Sequence, residues 1–394
     1  MKKISYELKK HLDYILLFIF CLLVFSYIVI FMYTDIQAHL EQIVNINLNE
    51  VSYPPNLLYY FVVNLFSAFS SNKLLMYIVS ITLLSSAVVA KYGISKKIIS
   101  DLNERELFEH NKIILITFGL FFCFAIPDPY SFFVLKKMYL GKLVPIVWHN
   151  STTIVLFPFS ILLFWKQLKV FDLSHKTTIK EILIINILVI LNILIKPAFI
   201  FTYIPVTFFF LLNRIKIDSI RRFILNLTPI FTGSLFLLIQ YYLIYTLQKG
   251  SFQSETSGVV ITTPFEALLL WIPIWFIPIS FFLSLTLPIF SMFVFKEIIK
   301  YKPFTYSLAL TIVGITISAF LMESGPRSYH GNFMWQNIIC TFLLMLSTVS
   351  FLTPKFLNGN IKSKKTRLSL SLFFIHSLSG ILYLIKIVVS SNYV

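Results

Sequence analysis

The sequence has little charge and very few cysteines. Only 13% of its 394 residues are Asp, Glu, Lys or Arg, whereas 57% are hydrophobic. Soluble domains carry about 25% charged residues, so this composition excludes an ordinary soluble protein. The three cysteines, Cys21, Cys123 and Cys340, all lie within apolar runs without metal-ligand spacing. We therefore expect neither a disulfide nor a zinc site.

Acidic side chains are also scarce. The chain has 17 Asp and Glu against 33 Lys and Arg, a formal net charge of +16. In a soluble protein this balance would suggest nucleic acid as a partner. Here the basic residues are concentrated in short segments between apolar runs, which is the pattern of the positive-inside rule. We therefore expect the lipid bilayer as a partner, and no nucleic acid.

Long apolar runs are what the sequence has in abundance. A bilayer core is about 30 Å thick and is crossed by about 20 apolar residues in a helix. We predict an all-α polytopic membrane protein with about eleven transmembrane helices. It would form a single integral membrane domain over residues 1–394, with no soluble domain. The predicted spans are 14–33, 74–92, 112–126, 152–165, 181–195, 198–212, 223–247, 267–295, 304–322, 336–353 and 368–390.

The basic segments predict the orientation of these helices. Lysines at positions 2, 3, 9 and 10 place the N-terminus in the cytoplasm, and the expected location is the cytoplasmic (inner) membrane. The run 57–69 is too short to span, so we expect amphipathic or interfacial helices on the outer side over 34–70. Three lysines, at positions 136, 137 and 142, disagree with the charge rule. The other predicted outer loops are 127–151, 248–266 and 323–335.

The segment after the first span contains the first candidate site. In a helix, Asp35, His39 and Gln42 would share one face, opposite an apolar stripe. A carboxylate held at the membrane surface can take a proton from a hydroxyl or bind a metal. Asp35 and His39 are therefore candidate catalytic residues. The alternative is a helix capped by Thr34 or Asp35 with a solvated polar face.

Two further segments contain candidate substrate-binding residues. His149 and Asn150 precede a predicted span, where they could bind a sugar hydroxyl or a phosphate; simple helix capping is the alternative. Trp148 is expected to be an interfacial anchor. Lys196 precedes a proline at a predicted outer turn. It could supply a cation to a lipid diphosphate or merely extend toward the headgroups.

The short outer loop 323–335 is the densest in polar residues. Arg327 is the best candidate for a bidentate phosphate clamp, because an arginine here opposes the positive-inside bias. An ion pair with Glu323 is the alternative. The candidate substrate-binding residues of this loop are Glu323, Arg327, Tyr329, His330 and Asn332.

The sequence resembles the integral-membrane glycosyltransferases of the C superfamily in two features. Asp35 and His39 follow the first helix directly, and Tyr53 with two prolines opens the next hydrophobic segment. The likeness in specific residues covers only about 34–60. The segments at Trp148 and Glu323 resemble uncharacterised membrane proteins of surface-polysaccharide clusters. This resemblance implies transfer of a sugar from a polyprenyl-(di)phosphate donor to a glycan or lipid acceptor outside the cytoplasm.

The resemblance also implies roles for the candidate residues. Asp35 would be the general base, Arg327 with Lys196 and His330 would neutralise the leaving phosphate, and His149 with Asn150 would orient the sugar. No cofactor is expected. A divalent metal stays open, although the second outer loop has no clear acidic motif. Two other functions stay open as well: a polymerase of O-antigen or capsule repeat units, and a flippase or transporter for lipid-linked oligosaccharides.

Overall fold

The computed structural model describes residues 2–102, 110–215, 218–247, 258–357 and 363–393. This part of the chain is nearly all helical, as predicted. The helices are α1 (Lys2–Phe31), α2 (Asp35–Asn47), α3 (Leu58–Phe66), α4 (Lys73–Asp101), α5 (His110–Phe121), α6 (Ser151–Phe171), α7 (Ile179–Ile195), α8 (Ala198–Leu212), α9 (Ile220–Tyr241), α10 (Glu266–Leu269), α11 (Ile277–Val294), α12 (Lys302–Phe320), α13 (Trp335–Leu357) and α14 (Lys364–Ser390).

Several of these helices are long and apolar enough to cross a membrane. Among the described residues there are eight, namely α1, α4, α6, α9, α11, α12, α13 and α14. Large apolar side chains project outward from them; Leu23 and Phe293 are 68% and 73% exposed. Soluble proteins rarely expose large contiguous apolar patches to water. The apolar surface of these helices therefore indicates contact with lipid. The structure thus supports a multi-pass membrane protein.

Helix α13 lies at the centre of the bundle. Some 89% of its apolar span is buried inside the protein, a larger share than in any other candidate span of the described chain. It packs against α12, α8 and α11, and its Phe342 meets Phe157 of α6 edge to face. A helix that is apolar on all sides belongs in such a position. Helices α4, α5, α6 and α14 pack against it as well.

Two predicted spans are wrong in their extent. The run 112–126 is helical only to Phe121, and the run 267–295 is interrupted before α11 begins at Ile277. After α5 the backbone is extended, and α14 and α11 complete its hydrogen bonds. The amide of Phe124 donates to the carbonyl of His376 at 3.0 Å, and that of Ile126 to Leu283 at 3.1 Å. Non-helical backbone is tolerated at membrane depth where protein groups satisfy it in this way.

The segment 138–150 is mostly buried between helices rather than spread over the surface. Ser280 of α11 donates to the carbonyl of Gly141 at 2.7 Å, and Lys91 of α4 donates to that of Pro145 at 3.4 Å. This segment explains one of the three lysines that disagree with the positive-inside rule. Lys142 forms a buried ion pair with Asp128 at 2.6 Å, so its charge is neutralised inside the protein.

The bundle has two opposite ends, at which different groups of residues collect. At one end Arg214, just beyond α8, donates to backbone carbonyls at the end of α6, including that of Asp172 at 2.8 Å. The same end holds several of the described ion pairs. These pairs join Lys96 to Asp13, Arg214 to Asp218 and Lys355 to Glu297. We call this the basic end of the bundle.

The opposite end collects the predicted outer segments. The helix α3 has nine residues and at 1.5 Å per residue is about 14 Å long, too short to span, as expected. Strands β1 (Val259–Ile261) and β2 (Leu321–Glu323) pair antiparallel there, with Val259 opposite Glu323. This pairing joins two of the predicted outer loops, although residues 248–257 of the first lie outside the described residues.

Candidate functional site

A capping box fixes the start of α2. The hydroxyl of Thr34 accepts from the amide of Ile36 at 3.2 Å, and the side chain of Gln37 accepts from the amide of Thr34 at 2.9 Å. Gln37 also donates to the carbonyl of Ile28 at 2.8 Å, near the end of α1. Thr34, not Asp35, therefore caps the helix. The orientation of α2 relative to α1 is thereby set.

The polar face of α2 is turned into the protein. Asn150 donates to a carboxylate oxygen of Asp35 at 2.6 Å, and Nδ1 of His39 is hydrogen-bonded to the hydroxyl of Ser151 at 2.6 Å. On the other side of the helix, Ile36 and Ile43 are fully buried. The amphipathic pattern was thus predicted correctly, and the polar face is only partly open to solvent, because Asp35, His39 and Gln42 are each half-buried. Asp35 and His39 meet the first residues of α6.

Asn150 combines capping with contacts inside the site. Its side-chain oxygen accepts from the amide of Thr153 at 3.0 Å, which makes it the N-cap of α6. The same oxygen accepts from Nζ of Lys196 at 3.1 Å, while its amide nitrogen donates to Asp35. The capping interpretation is therefore confirmed. Capping does not exclude a functional role, because the same side-chain amide also bonds to Asp35 and Lys196.

Lys196 points into the protein from the turn between α7 and α8. Its Nζ lies 3.8 Å from the ring centre of Trp335 and 3.1 Å from the hydroxyl of Thr153. It does not extend toward the headgroups, so that alternative is wrong. Burial lowers the pKa of Lys196 to about 7, against the opposite influence of the Asp35 carboxylate. Its charge is thus switchable near neutral pH.

His149 completes the group. It is buried, stacks face to face on Tyr393 at 3.9 Å and meets Tyr139 edge to face at 4.8 Å. Burial lowers the pKa of His149 and of His39 to about 4; Asp35 opposes the shift and Lys196 adds to it. Both imidazoles are therefore neutral at pH 7. A neutral imidazole can accept a hydrogen bond on one nitrogen and donate from the other.

These residues define one site, which we call the Asp35 cluster: Asp35, His39, His149, Asn150 and Lys196. In the described chain no group of three or more His, Cys, Asp or Glu side chains is arranged to hold a metal ion. A cation for an anionic ligand is available from Lys196. Chemically, the cluster offers a carboxylate base, a titratable cation and neutral hydrogen-bonding groups.

A second group, the Glu323 cluster, consists of Glu323, Tyr245, Arg327 and Asn332. The buried carboxylate of Glu323 accepts from the hydroxyl of Tyr245 at 2.6 Å and from the amide of Asn332, and it pairs with Nε of Arg327 at 3.3 Å. The ion pair offered as the alternative to a phosphate clamp is therefore present. The side chains of Tyr329 and His330 lie outside the described part of the structure.

Trp335 links the two clusters. It follows Asn332 closely in the chain, lies over Lys196 and is 6.1 Å from the ring of His149. Neither Trp335 nor Tyr393 was among the predicted site residues. Trp335 ends the predicted loop 323–335 but carries no ionisable group, and Tyr393 reaches the site from the far end of α14. Trp148 was expected at the interface but is 1% exposed and packs on Phe25 and Phe121. As an interfacial anchor it was wrongly predicted.

The chain matches no protein-family model, and the comparison with curated proteins finds none that is similar. The likeness to the C-superfamily glycosyltransferases therefore stays a prediction. The function has to be argued from the geometry of the two clusters.

Proposed function

We propose that the protein is a membrane glycosyltransferase of surface polysaccharide or glycan assembly. It would move a sugar from a polyprenyl-(di)phosphate donor to an acceptor hydroxyl on the extracytoplasmic side. The observation that carries this proposal is the Asp35 cluster, in which a carboxylate, a lysine and two neutral histidines converge at the end of the bundle opposite the basic end. A base and a cation on either side of one small site suit a displacement at a phosphate-bearing carbon.

The proposed topology follows from the basic end. By the positive-inside rule this end lies in the cytoplasm of a cell whose inner membrane holds the protein. The N-terminus is then cytoplasmic, and the Asp35 cluster faces outward. If the shorter helices α5, α7 and α8 cross together with the eight long ones, the total is about eleven crossings, the number suggested by the apolar runs.

The reaction is a single displacement at the anomeric carbon. The acceptor oxygen forms a bond to this carbon while the bond from the carbon to the phosphate oxygen breaks. Asp35 takes the proton of the acceptor hydroxyl, and the lipid phosphate or diphosphate leaves with the bonding electron pair. General-base assistance of this kind contributes about 10²- to 10⁴-fold in rate. His39, held on Ser151, and His149 with Asn150 would orient the acceptor and the donor sugar.

The leaving phosphate needs a cation. Lys196 is the first choice, since its Nζ contacts only amide and hydroxyl oxygens and an aromatic face among the contacts described. Arg327 already pairs with Glu323, so we assign it the distal phosphate of a diphosphate donor, with His330 beside it in the sequence. Fixed cations in a water-poor cleft stabilise developing negative charge more than they would in bulk water.

The test is mass spectrometry of lipid-linked and surface glycans from cells that carry wild type, a deletion, Asp35→Asn or Glu41→Gln. Glu41 is the matched control, because it lies on the same helix but is exposed and bonds to Tyr33 at 3.0 Å. We expect the deletion and Asp35→Asn to lose one and the same sugar linkage, while Glu41→Gln keeps it. The proposal fails if Asp35→Asn, at equal membrane level, retains the linkage. Glycan length in the same data separates a transferase from a repeat-unit polymerase.

A flippase for lipid-linked oligosaccharides is the second candidate. It is favoured by Lys91, which is 4% exposed in the middle of α4 and lies between the rings of Phe157 and Phe342 at 3.6 and 3.9 Å. The non-helical backbone after α5 also favours a flippase, since ionisable residues and discontinuous helices mark transport sites. Accumulation of the complete lipid-linked glycan on the cytoplasmic leaflet of the deletion strain would establish this candidate instead.

A further inference from the structure

Two buried polar groups in the segment that precedes α6 lack a hydrogen-bond partner among the described residues. They are the hydroxyl of Tyr139 and Nδ1 of His149, whose residues are 8% and 3% exposed. An unpaired buried group costs about 1–3 kcal/mol, and most buried polar groups in proteins are paired. Since the two rings are 4.8 Å apart, one small ligand can satisfy both.

An aromatic ring covers His149. The ring of Tyr393 is stacked on the imidazole at an interplanar angle of 16°. Its backbone is held by the hydroxyl of Tyr383, which donates to the Tyr393 carbonyl at 2.7 Å. Between α14 and Tyr393, Ser391 has a positive φ of 49°, a conformation that ordinary residues adopt at a cost. The Tyr393 ring is only partly buried against the core, and its backbone bond to Tyr383 does not involve the ring, so the ring can turn away from His149 while this bond is kept.

The three rings lie within the electrostatic reach of the candidate base. Burial is the main cause that raises the pKa of Tyr139 and Tyr393, and the Asp35 carboxylate raises both further. The same carboxylate acts on the pKa of His149. His149 also directly precedes Asn150, which donates to Asp35 at 2.6 Å, so a ligand bound at these rings would lie close to the residue that holds the candidate base.

We propose that Tyr139 and His149 form a subsite for one saccharide ring and that Tyr393 is its displaceable cover. This inference rests on the proposed function, whose substrate class it specifies. A sugar ring presents an apolar face that packs on an aromatic ring and hydroxyls that bond to Tyr139 and His149. Ligand sites of this kind combine aromatic walls with a few well-placed polar groups. A bare phosphate would instead bind at Lys196.

The experiment measures binding without turnover. Purified full-length protein in lipid nanodiscs is titrated by calorimetry with methyl glycosides of glucose, galactose and N-acetylglucosamine, and with cyclohexanol as an apolar ring. We expect one glycoside, but not cyclohexanol, to bind. Tyr139→Phe weakens its affinity about fivefold, the equivalent of one hydrogen bond. Tyr393→Ala strengthens it, because the cover no longer competes.

Tyr203→Phe is the matched control, since Tyr203 is an equally buried tyrosine whose hydroxyl bonds to Gln167 at 2.8 Å elsewhere in the bundle. It should leave glycoside affinity unchanged. The subsite is ruled out if no glycoside binds either wild type or Tyr393→Ala, or if Tyr139→Phe and Tyr203→Phe behave alike. If a glycoside binds but deletion of the protein changes no glycan linkage in cells, the transferase proposal is wrong and the saccharide subsite remains supported.

Discussion

The Asp35 and Glu323 clusters contain the same types of group, yet they differ in how their charges are paired. In the Glu323 cluster, the cation contacts the carboxylate directly, and Tyr245 and Asn332 bond to the same carboxylate. In the Asp35 cluster, Asn150 lies between the acid and the lysine, bonded to both. None of the ion pairs found in the described chain includes Lys196.

We interpret this difference as one between a cluster that supports the fold and a cluster that binds a ligand. A buried carboxylate with several partners is already neutralised, and breaking it costs stability. A half-buried lysine with a lowered pKa and no carboxylate in contact gains most from an incoming anion. We therefore place chemistry at Asp35 and support at Glu323. Substitutions at the two sites should have opposite consequences.

The largest expected effect is that of Asp35→Asn on the transfer rate. Because the substituted amide cannot accept the proton of the acceptor, the rate should fall by about 10²- to 10⁴-fold, with little change in thermal unfolding. The rate is measured with purified protein and the donor identified from the glycan analysis. A rate within threefold of wild type would show that Asp35 is not the base. The proposed difference in role between the Asp35 and Glu323 clusters would then be wrong.

Glu323→Gln should produce the reverse pattern. The substitution removes the negative charge that pairs with Arg327, so we expect a loss of about 3 kcal/mol in the free energy of unfolding, as for other broken buried pairs. Transfer per folded molecule should stay close to wild type. Thermal unfolding in detergent and the same transfer assay measure the two quantities. A variant that is stable but inactive would assign Glu323 to the chemistry.

The sequence predicts the individual elements of this structure better than their assembly. The 3.6-residue period around Ile36 and Ile43 correctly predicts an amphipathic α2, and the short run before α4 correctly predicts a helix that does not span. The end of α5 at Phe121 was missed, because an apolar run looks the same whether its backbone is bonded within the helix or to α14.

The site shows the same limit. Asp35 and Asn150 were each proposed from local signals, a helix face and a helix start. Their 2.6 Å hydrogen bond depends on how α1 and α6 pack, which no local pattern contains. Tyr139 lies in a loop that was expected on the surface and is in fact buried. Long-range packing therefore decides which polar residues share a site.

Lys196→Met should raise the KM for the donor about tenfold or more, the range of a lost charged hydrogen bond. The pH dependence sharpens this expectation. Lys196 has a pKa of about 7, so its charge is present below that pH and is lost above it, and donor binding should weaken as the pH rises from 6 to 8. Lys196→Arg, which stays charged, should flatten this profile. A wild-type KM that does not change with pH would place the phosphate elsewhere.

Acid is also expected to affect stability. The pKa values of His39 and His149 are about 4 in the folded protein, below the ordinary 6.5. The unfolded chain therefore binds protons first, and folding stability should decline as the pH falls from 6.5 to 4. His149→Gln should reduce this decline, as measured by unfolding temperature at each pH. An equal slope in wild type and variant would mean that His149 is not buried in its neutral form.

The smallest effect concerns Arg327→Lys. A lysine keeps the charge opposite Glu323 but cannot bind two phosphate oxygens in the planar fork of a guanidinium. If Arg327 mainly supports the Glu323 cluster and touches only a distal phosphate, transfer from a monophosphate-linked donor should not change, and transfer from a diphosphate-linked donor should fall about threefold, or under 1 kcal/mol. The two donors are compared in one assay with the same acceptor. A loss above tenfold with the monophosphate donor would make Arg327 the primary clamp, and the two clusters would then form a single active site joined at Trp335.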